Sequence, residues 1–260
     1  MTMTDLGRHA PAVAALAGDV ASLTRVVQGL FLHERWAQRY GVEHSPEELE
    51  AVHLRRAEDL LDAALQRDGR PLDVAREPAG RLPAMCRNLS VVLVAMLRAH
   101  GIEARARAGF ATYFIPGWYE DHWVVELGDG RWVDPQIDDV QRAALGITFD
   151  PLDMPAGAFV PGPDAWRLLR GGADPASFGL SGSGLAGEWF VAGDVLYDLA
   201  AVGGVETLPW DTWDPMPGPD DEVDVALFDA YAEGRAAPPP VPAKVLNTRR
   251  GRVEELHQIA

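Results

Sequence analysis

Apolar residues recur near helical spacing over residues 19–40, at Leu23, Val26, Val27, Leu30, Phe31 and Trp36, and Gly41 follows as a stop. A second helix is predicted from Ser45 to about Gln66. Ser45 can cap it, Pro46 suits the first helical position and Glu48 can reach back, while Leu49, Val52, Leu60, Leu61 and Leu65 turn inward. Asp68-Gly69-Arg70-Pro71 breaks the pattern, and residues 70–82 read as a loop leading to Cys86 in which Arg76 and Arg81 are solvated or ion-paired, with shaping of a site beside Cys86 as the alternative. An almost wholly apolar run at 89–97 then reads as a helix that starts near Pro83 and Cys86 and stops at His100-Gly101.

The period changes after that helix. Residues 103–114 alternate loosely and read as a strand, and His122 to Leu127, rich in Val and Trp, reads as another. Gly128-Asp129-Gly130 is a turn signal, and Arg131 to Asp134 reads as the returning strand. Further on, helices are predicted at 163–170, Glu188–Ala201 and 221–233. Gly171 to Gly187 reads as a Gly/Ser-rich connection, residues 236–242 as a Pro-rich extended segment and residues 249–258 as a loose polar tail. The order of patterns predicts an α+β fold, with a helical N-terminal half packed on an antiparallel β-sheet that includes 121–127 and 131–135. The predicted organisation is one domain overall: an N-terminal helical part at 1–80, a core at 81–140 and a C-terminal extension at 141–260.

Composition narrows the partners. With 23 basic and 39 acidic residues the formal net charge is 23 − 39 = −16. Such a surface repels phosphate backbones and anionic membranes, so no nucleic acid and no membrane is expected as a partner. No apolar run approaches the roughly 18 residues that a membrane span needs. Residues Ala10 to Ala17 are small and apolar, but the preceding residues make a poor signal-peptide n-region, so the expected location is cytoplasmic. One cysteine in the whole chain rules out an intramolecular disulfide framework.

That cysteine, Cys86, falls in the first turn of a predicted helix. There a thiol meets unpaired backbone N–H groups and the positive end of the helix dipole, which favour the thiolate. Position alone is equally compatible with an inert buried thiol that packs as a small hydrophobe. The hairpin adds a second observation. With a three-residue loop at 128–130, Leu127 faces Arg131, Val124 faces Asp134 and His122 faces Gln136. His122 and Asp134 then share a face as diagonal neighbours, roughly 7–8 Å apart at the backbone. A two-residue loop would put them on opposite faces. Trp123 points the other way, towards the core. Tyr113, Trp118 and Tyr119 lie just ahead of His122 and are candidates for lining a substrate cleft, with core packing as the plain alternative. His33-Glu34 starts like a zinc-protease motif, but Ala37 stands where the second histidine should be, so His33 reads as structural.

A nucleophile, a base and a carboxylate that orients the base are the parts of a cysteine acyl-transfer centre. The order Cys86, His122, Asp134 on a helix followed by a hairpin resembles the transglutaminase-like superfamily, which has a papain-like fold. The motifs that carry the resemblance are Cys86 opening an apolar helix, Arg98-Ala99-His100-Gly101-Ile102-Glu103-Ala104-Arg105 after it, Asp121-His122-Trp123, and Trp132-Val133-Asp134. Further stretches, Gly109-Phe110-Ala111-Thr112-Tyr113-Phe114, Pro135-Gln136-Ile137-Asp138, Asp150-Pro151-Leu152-Asp153 and Leu208-Pro209-Trp210-Asp211-Thr212-Trp213, are similar to an uncharacterised bacterial branch of that superfamily. The resemblance implies Cys86 as nucleophile, His122 as base and Asp134 as orienter, and supplies no substrate.

The expected function is acyl transfer or hydrolysis at an amide, ester or thioester through an acyl-enzyme on Cys86. The expected partner is a small-molecule or peptide acyl substrate. No cofactor and no metal are expected. Metal binding by His122 with Asp121 and Asp134 is the runner-up chemistry, and it lacks a third nitrogen or sulfur ligand other than Cys86. Two further readings stay open: an amide synthase acting on carrier-bound acyl groups, and a non-catalytic binding module on the same fold.

Overall fold

The computed structural model of the protein describes residues 2–256. Its first half contains α1 (Ala10–Ala14), α2 (Val20–Leu30), β1 (Phe31–His33), α3 (Pro46–Leu49), α4 (Ala57–Arg67), β2 (Leu82–Ala84), α5 (Cys86–Ala99), β3 (Ala104–Ala111), β4 (Tyr119–Leu127) and β5 (Trp132–Val133). Then come α6 (Asp139–Leu145), β6 (Phe159–Pro161), α7 (Gly162–Arg170), β7 (Phe178–Leu180), β8 (Leu185–Ala186), α8 (Glu188–Val202), β9 (Asp211–Thr212), α9 (Val225–Ala232), β10 (Lys244–Asn247) and β11 (Arg252–Glu255). The chain divides into two compact units. One comprises Thr2–Ala106 with Val124–Met154; the other comprises Arg107–Trp123 and the described chain from Pro155 onward. The division runs through β3 and β4, so each of these strands contributes to both units.

In the first unit α5 is the central element. Every residue from Cys86 to Leu97 is buried, and a helix apolar on all sides must be covered on all sides. Helices α1, α2 and α4 pack against it. The helix predicted for 19–40 ends at Leu30. Phe31, Leu32 and His33 are all buried and pair in parallel with Leu82, Pro83 and Ala84. Three consecutive buried residues suit a strand covered on both faces and not the single stripe of an amphipathic helix. A 3-10 turn over Glu34–Tyr40 follows and ends at Gly41, whose φ of 69° is the left-handed conformation that glycine supplies. Pro83 therefore lies in a strand, and α5 opens at Cys86 with extended Met85 as its cap.

The helix predicted for 45–66 is also divided. Ser45 and Glu48 form the expected capping box. A 3-10 turn over Glu50–His53 and extended Leu54 then separate α3 from α4. The break frees backbone carbonyls that α5 uses: Asn88 Nδ2 donates to the Leu54 oxygen at 2.9 Å, and Arg87 Nη1 donates to the Arg55 oxygen at 2.6 Å. The C-terminal end of α5 behaves as predicted, with Gly101 at φ 74° and Ile102 N–H donating back to Leu97.

In the second unit the sheet order is β6-β3-β4-β7-β8. Strands β3 and β6 pair antiparallel, as do β7 and β8, whereas β4 and β7 pair in parallel, Tyr119 with Phe178 and Glu120 with Gly179. The predicted antiparallel sheet is thus a mixed one. The long crossover from β4 to β7 is what a parallel pair requires. Strands β7 and β8 fall inside the stretch read as a Gly/Ser connection, where fully buried Phe178 marks the strand. Helix α7 agrees closely with its prediction, as does α8, and both pack with α9. The polar tail read at 249–258 pairs through Glu255 as β11 against β10, and its residues 257–258 lie outside the described residues. Among the described residues no helix is long and apolar enough to cross a membrane.

Candidate active site

Cys86 is the first residue of α5 and is buried. The turn that holds it is fastened from two sides. Asn88 Oδ1 accepts the Met85 N–H at 2.9 Å, which caps the helix, and its Nδ2 is the donor to Leu54. Fully buried Arg87 directs its guanidinium to the carbonyls at 54 and 55. The loop before the cysteine is organised by Arg76, contrary to its reading as a solvated or ion-paired residue. Arg76 is buried and donates to the carbonyl oxygens of Asp68, Arg70, Pro71 and Val74, so the loop wraps around one guanidinium. Arg81 in turn donates to the Arg76 carbonyl and lies 3.9 Å from Asp138.

Asp134 belongs to the same unit and is fully buried. The β4–β5 register pairs Val125 with Val133 and Glu126 with Trp132, and Leu127 N–H donates to the Arg131 carbonyl at 2.9 Å. The turn is therefore the three-residue one, and the same register puts Asp134 opposite Val124. In an antiparallel ladder alternate residues point their backbone groups away from the partner strand. Asp134 N–H accordingly donates to the Pro151 carbonyl at 2.8 Å, and Met154 N–H donates to the Trp132 carbonyl at 3.0 Å. The Asp134 carboxylate accepts the Gln136 N–H at 2.8 Å.

His122 lies on the other side of the division, on β4, and is buried. By the alternation of the strand it shares a face with Val124 and Glu126. Its ring is flanked by Phe114, 5.0 Å away and tilted at 70°, and by Tyr113 at 6.2 Å and 88°. Phe114 was not among the residues singled out from sequence. Its signal was an aromatic beside Tyr113 in the loop that leads to His122. Trp123 is fully buried, as expected for the opposite face. The other two aromatic candidates are engaged elsewhere. Tyr119 stacks on Phe178 with centroids 4.1 Å apart and planes at 7°. Trp118 Nε1 donates to Glu120 Oε2 at 2.7 Å, and the same carboxylate accepts the Ser181 N–H and hydroxyl at 3.1 and 3.0 Å.

His33 is buried, and its Nδ1 accepts the Arg35 N–H, in keeping with a structural role. Among the described residues no group of three or more His, Cys, Asp or Glu side chains is arranged to hold a metal ion.

No curated protein matches the chain, and no solved structure does. A family model does match, and its span takes in Cys86, His122 and Asp134. Residues 36–136 of this chain match the transglutaminase-like superfamily.

Proposed function

We propose that the protein is a cysteine acyl-transfer enzyme with a papain-like core, in which Cys86 is the nucleophile, His122 the base and Asp134 the residue that orients the imidazole. The observation that carries this reading is the β4–β5 register, which gives His122 and Asp134 the same parity across the hairpin. It is supported by Cys86 at the first position of α5, among the backbone N–H groups that a helix leaves unpaired at its start, and by the family match.

The chemistry follows from these roles. His122 takes the thiol proton as sulfur attacks the carbonyl carbon of an amide, ester or thioester. The Cys86 backbone N–H, at the helix N-terminus, is a donor for the oxyanion. Collapse breaks the bond to the leaving group, which receives the proton from His122, and leaves a thioester on Cys86. Water or an amine then attacks that thioester, and the thiol is regenerated.

Intact-mass analysis after exposure to a panel of nitrophenyl esters, thioesters and amides tests the reading, because the chain has one cysteine. An acyl adduct is expected on the wild type and none on Cys86→Ser. Asp134→Asn should slow acylation by about 10²–10⁴-fold while retaining the fold, because the imidazole tautomer is no longer held. An absent adduct with every donor, together with an iodoacetamide rate that His122→Ala does not change, would remove the reading.

A further inference from the structure

The loop between β3 and β4 carries a run of aromatic and apolar residues, Tyr113-Phe114-Ile115-Pro116, and is fastened at both ends within its own unit. At the start, Thr112 N–H donates to the Ala158 carbonyl at 3.0 Å, and its hydroxyl donates to the Gly157 carbonyl at 3.0 Å. At the end, Trp118 N–H donates back to the Ile115 carbonyl at 3.1 Å. The Trp118 indole donates to the Glu120 carboxylate, which Ser181 also holds. A segment anchored on both sides is ordered before a ligand arrives, which lowers the cost of a contact with it.

The loop brings two rings to the candidate base. The centroids of Phe114 and His122 are 5.0 Å apart, those of Tyr113 and His122 6.2 Å, and those of Tyr113 and Phe114 4.8 Å. A triangle with these sides puts both rings on one side of the imidazole. Packing of the core does not account for them. Phe110 and Phe178, on strands of the same unit's sheet, are fully buried, whereas Tyr113 and Phe114 are each only partly buried and Ile115 is 41% exposed. Apolar residues scattered singly on a surface mean little, but three consecutive ones beside a candidate base form a continuous strip that a ligand can cover.

We infer that Phe114 is a specificity-determining residue that, with Tyr113 and Ile115, receives an apolar or aromatic substituent on the leaving group of the acyl donor, an inference that rests on the acyl-transfer reading of Cys86 and His122. The leaving group takes its proton from His122, so its reacting atom comes within hydrogen-bond reach of the imidazole, about 2.6–3.2 Å. The substituent on that atom then passes the rings that line the imidazole. An amine acceptor gives its proton to the same imidazole, so the strip receives its substituent in the second half of the reaction. The substrate class selected is an amide, ester or thioester whose leaving group carries an alkyl or benzyl-like group, in preference to one whose leaving group is small or charged. Covering apolar area is favourable, and the Phe114 and Ile115 side chains have no polar atom with which to meet a charge.

The experiment compares S-benzyl and S-methyl thioacetate on the full chain by the rate at which the sole cysteine gains an acetyl group. In both reactions the Cys86 sulfur bonds to the acetyl carbon, the bond from that carbon to the leaving sulfur breaks, and the thiol departs with the proton that His122 took from Cys86. The acyl-enzyme is the same, so only the leaving group differs. Each rate is divided by that of a small thiol, which removes the intrinsic difference between the probes. The wild type should prefer the benzyl probe by about tenfold, the scale of covering part of one aromatic ring. Phe114→Ala should reduce that preference to about twofold or less by slowing the benzyl probe, and Phe114→Leu should restore part of it. Ile115→Ser, at an exposed position, should weaken the preference as well and serves if Phe114→Ala does not fold. A wild type that does not distinguish the probes, or that reacts with neither, overturns the inference, and so does a preference that none of the variants alters. Equal slowing of both probes by Phe114→Ala points to a ring that only packs against His122 and also overturns it. If His122→Ala changes neither acetylation nor the iodoacetamide rate, the acyl-transfer reading fails and the inference fails with it. If His122→Ala slows the iodoacetamide reaction and the wild type shows no preference between the thioesters, the inference alone fails.

Discussion

The two units differ in how several of their buried polar groups are met. In the first unit, buried donors are matched to backbone carbonyls: Arg76 holds four of them, Arg87 reaches the carbonyls at 54 and 55, and Asn88 takes Leu54. In the second unit, buried carboxylates are matched to side-chain and backbone donors. Asp198 takes a bidentate contact from Arg107 at 2.7 and 2.8 Å and the Ala108 N–H at 3.1 Å, while Glu120 takes Trp118 and Ser181. Carbonyls do not titrate, so the acceptors in the first arrangement keep the same charge at any pH. A carboxylate buried beside an arginine is sensitive to the loss of either partner, because the survivor remains as a charge out of water. The candidate nucleophile thus sits where the chain is fastened by backbone-directed hydrogen bonds, whereas the candidate base is flanked by the rings of Phe114 and Tyr113.

The largest effect expected from this contrast is at Arg107. Arg107→Met removes the guanidinium paired with Asp198, whose side chain is 1% exposed, and should cost about 3–5 kcal/mol in urea unfolding. Hydrogen exchange should show α8 losing protection before α5. Loss of protection in α5 first would reverse the assignment of weak and strong regions.

Asn88→Ala comes next. It removes the side-chain acceptor of the Met85 N–H and the nearer of two donors to the Leu54 carbonyl, and should cost about 2–3 kcal/mol. The loss should be the same at pH 5 and pH 7, since neither backbone group titrates. A strongly pH-dependent loss would mean that the first unit relies on charge after all.

The smallest effect concerns His44, a titratable group in the first unit. Both of its ring nitrogens are buried without a partner, and burial lowers its basicity from the ordinary value of 6.5. The folded state therefore prefers the neutral ring. Its contribution is fully present above pH 6.5 and is lost as pH falls through that value towards the depressed folded one. The urea midpoint of the wild type should fall between pH 7.5 and 5.5 by more than that of His44→Gln. Equal slopes would remove His44 as the source.

Much of this was legible in the residues. The turn signal Gly128-Asp129-Gly130 and the alternation around it place the hairpin, and the structure has the three-residue loop that pairs Val125 with Val133. The apolar run at 89–97 with His100-Gly101 after it specifies α5, and its first turn specifies where Cys86 stands. Capping and period are local properties, so sequence determines them. What tertiary structure decided was non-local. Phe31 to His33 leave the helical pattern because β2, some fifty residues on, supplies a parallel partner. The helix at 45–66 breaks where Arg87 and Asn88 claim its carbonyls, and Arg76 is buried because the chain folds its own carbonyls around it. The direction of the Asp138–Tyr40–Gln141–Gln136 hydrogen-bond chain has the same origin. Only the approach of distant segments determines which atoms of this chain donate and which accept.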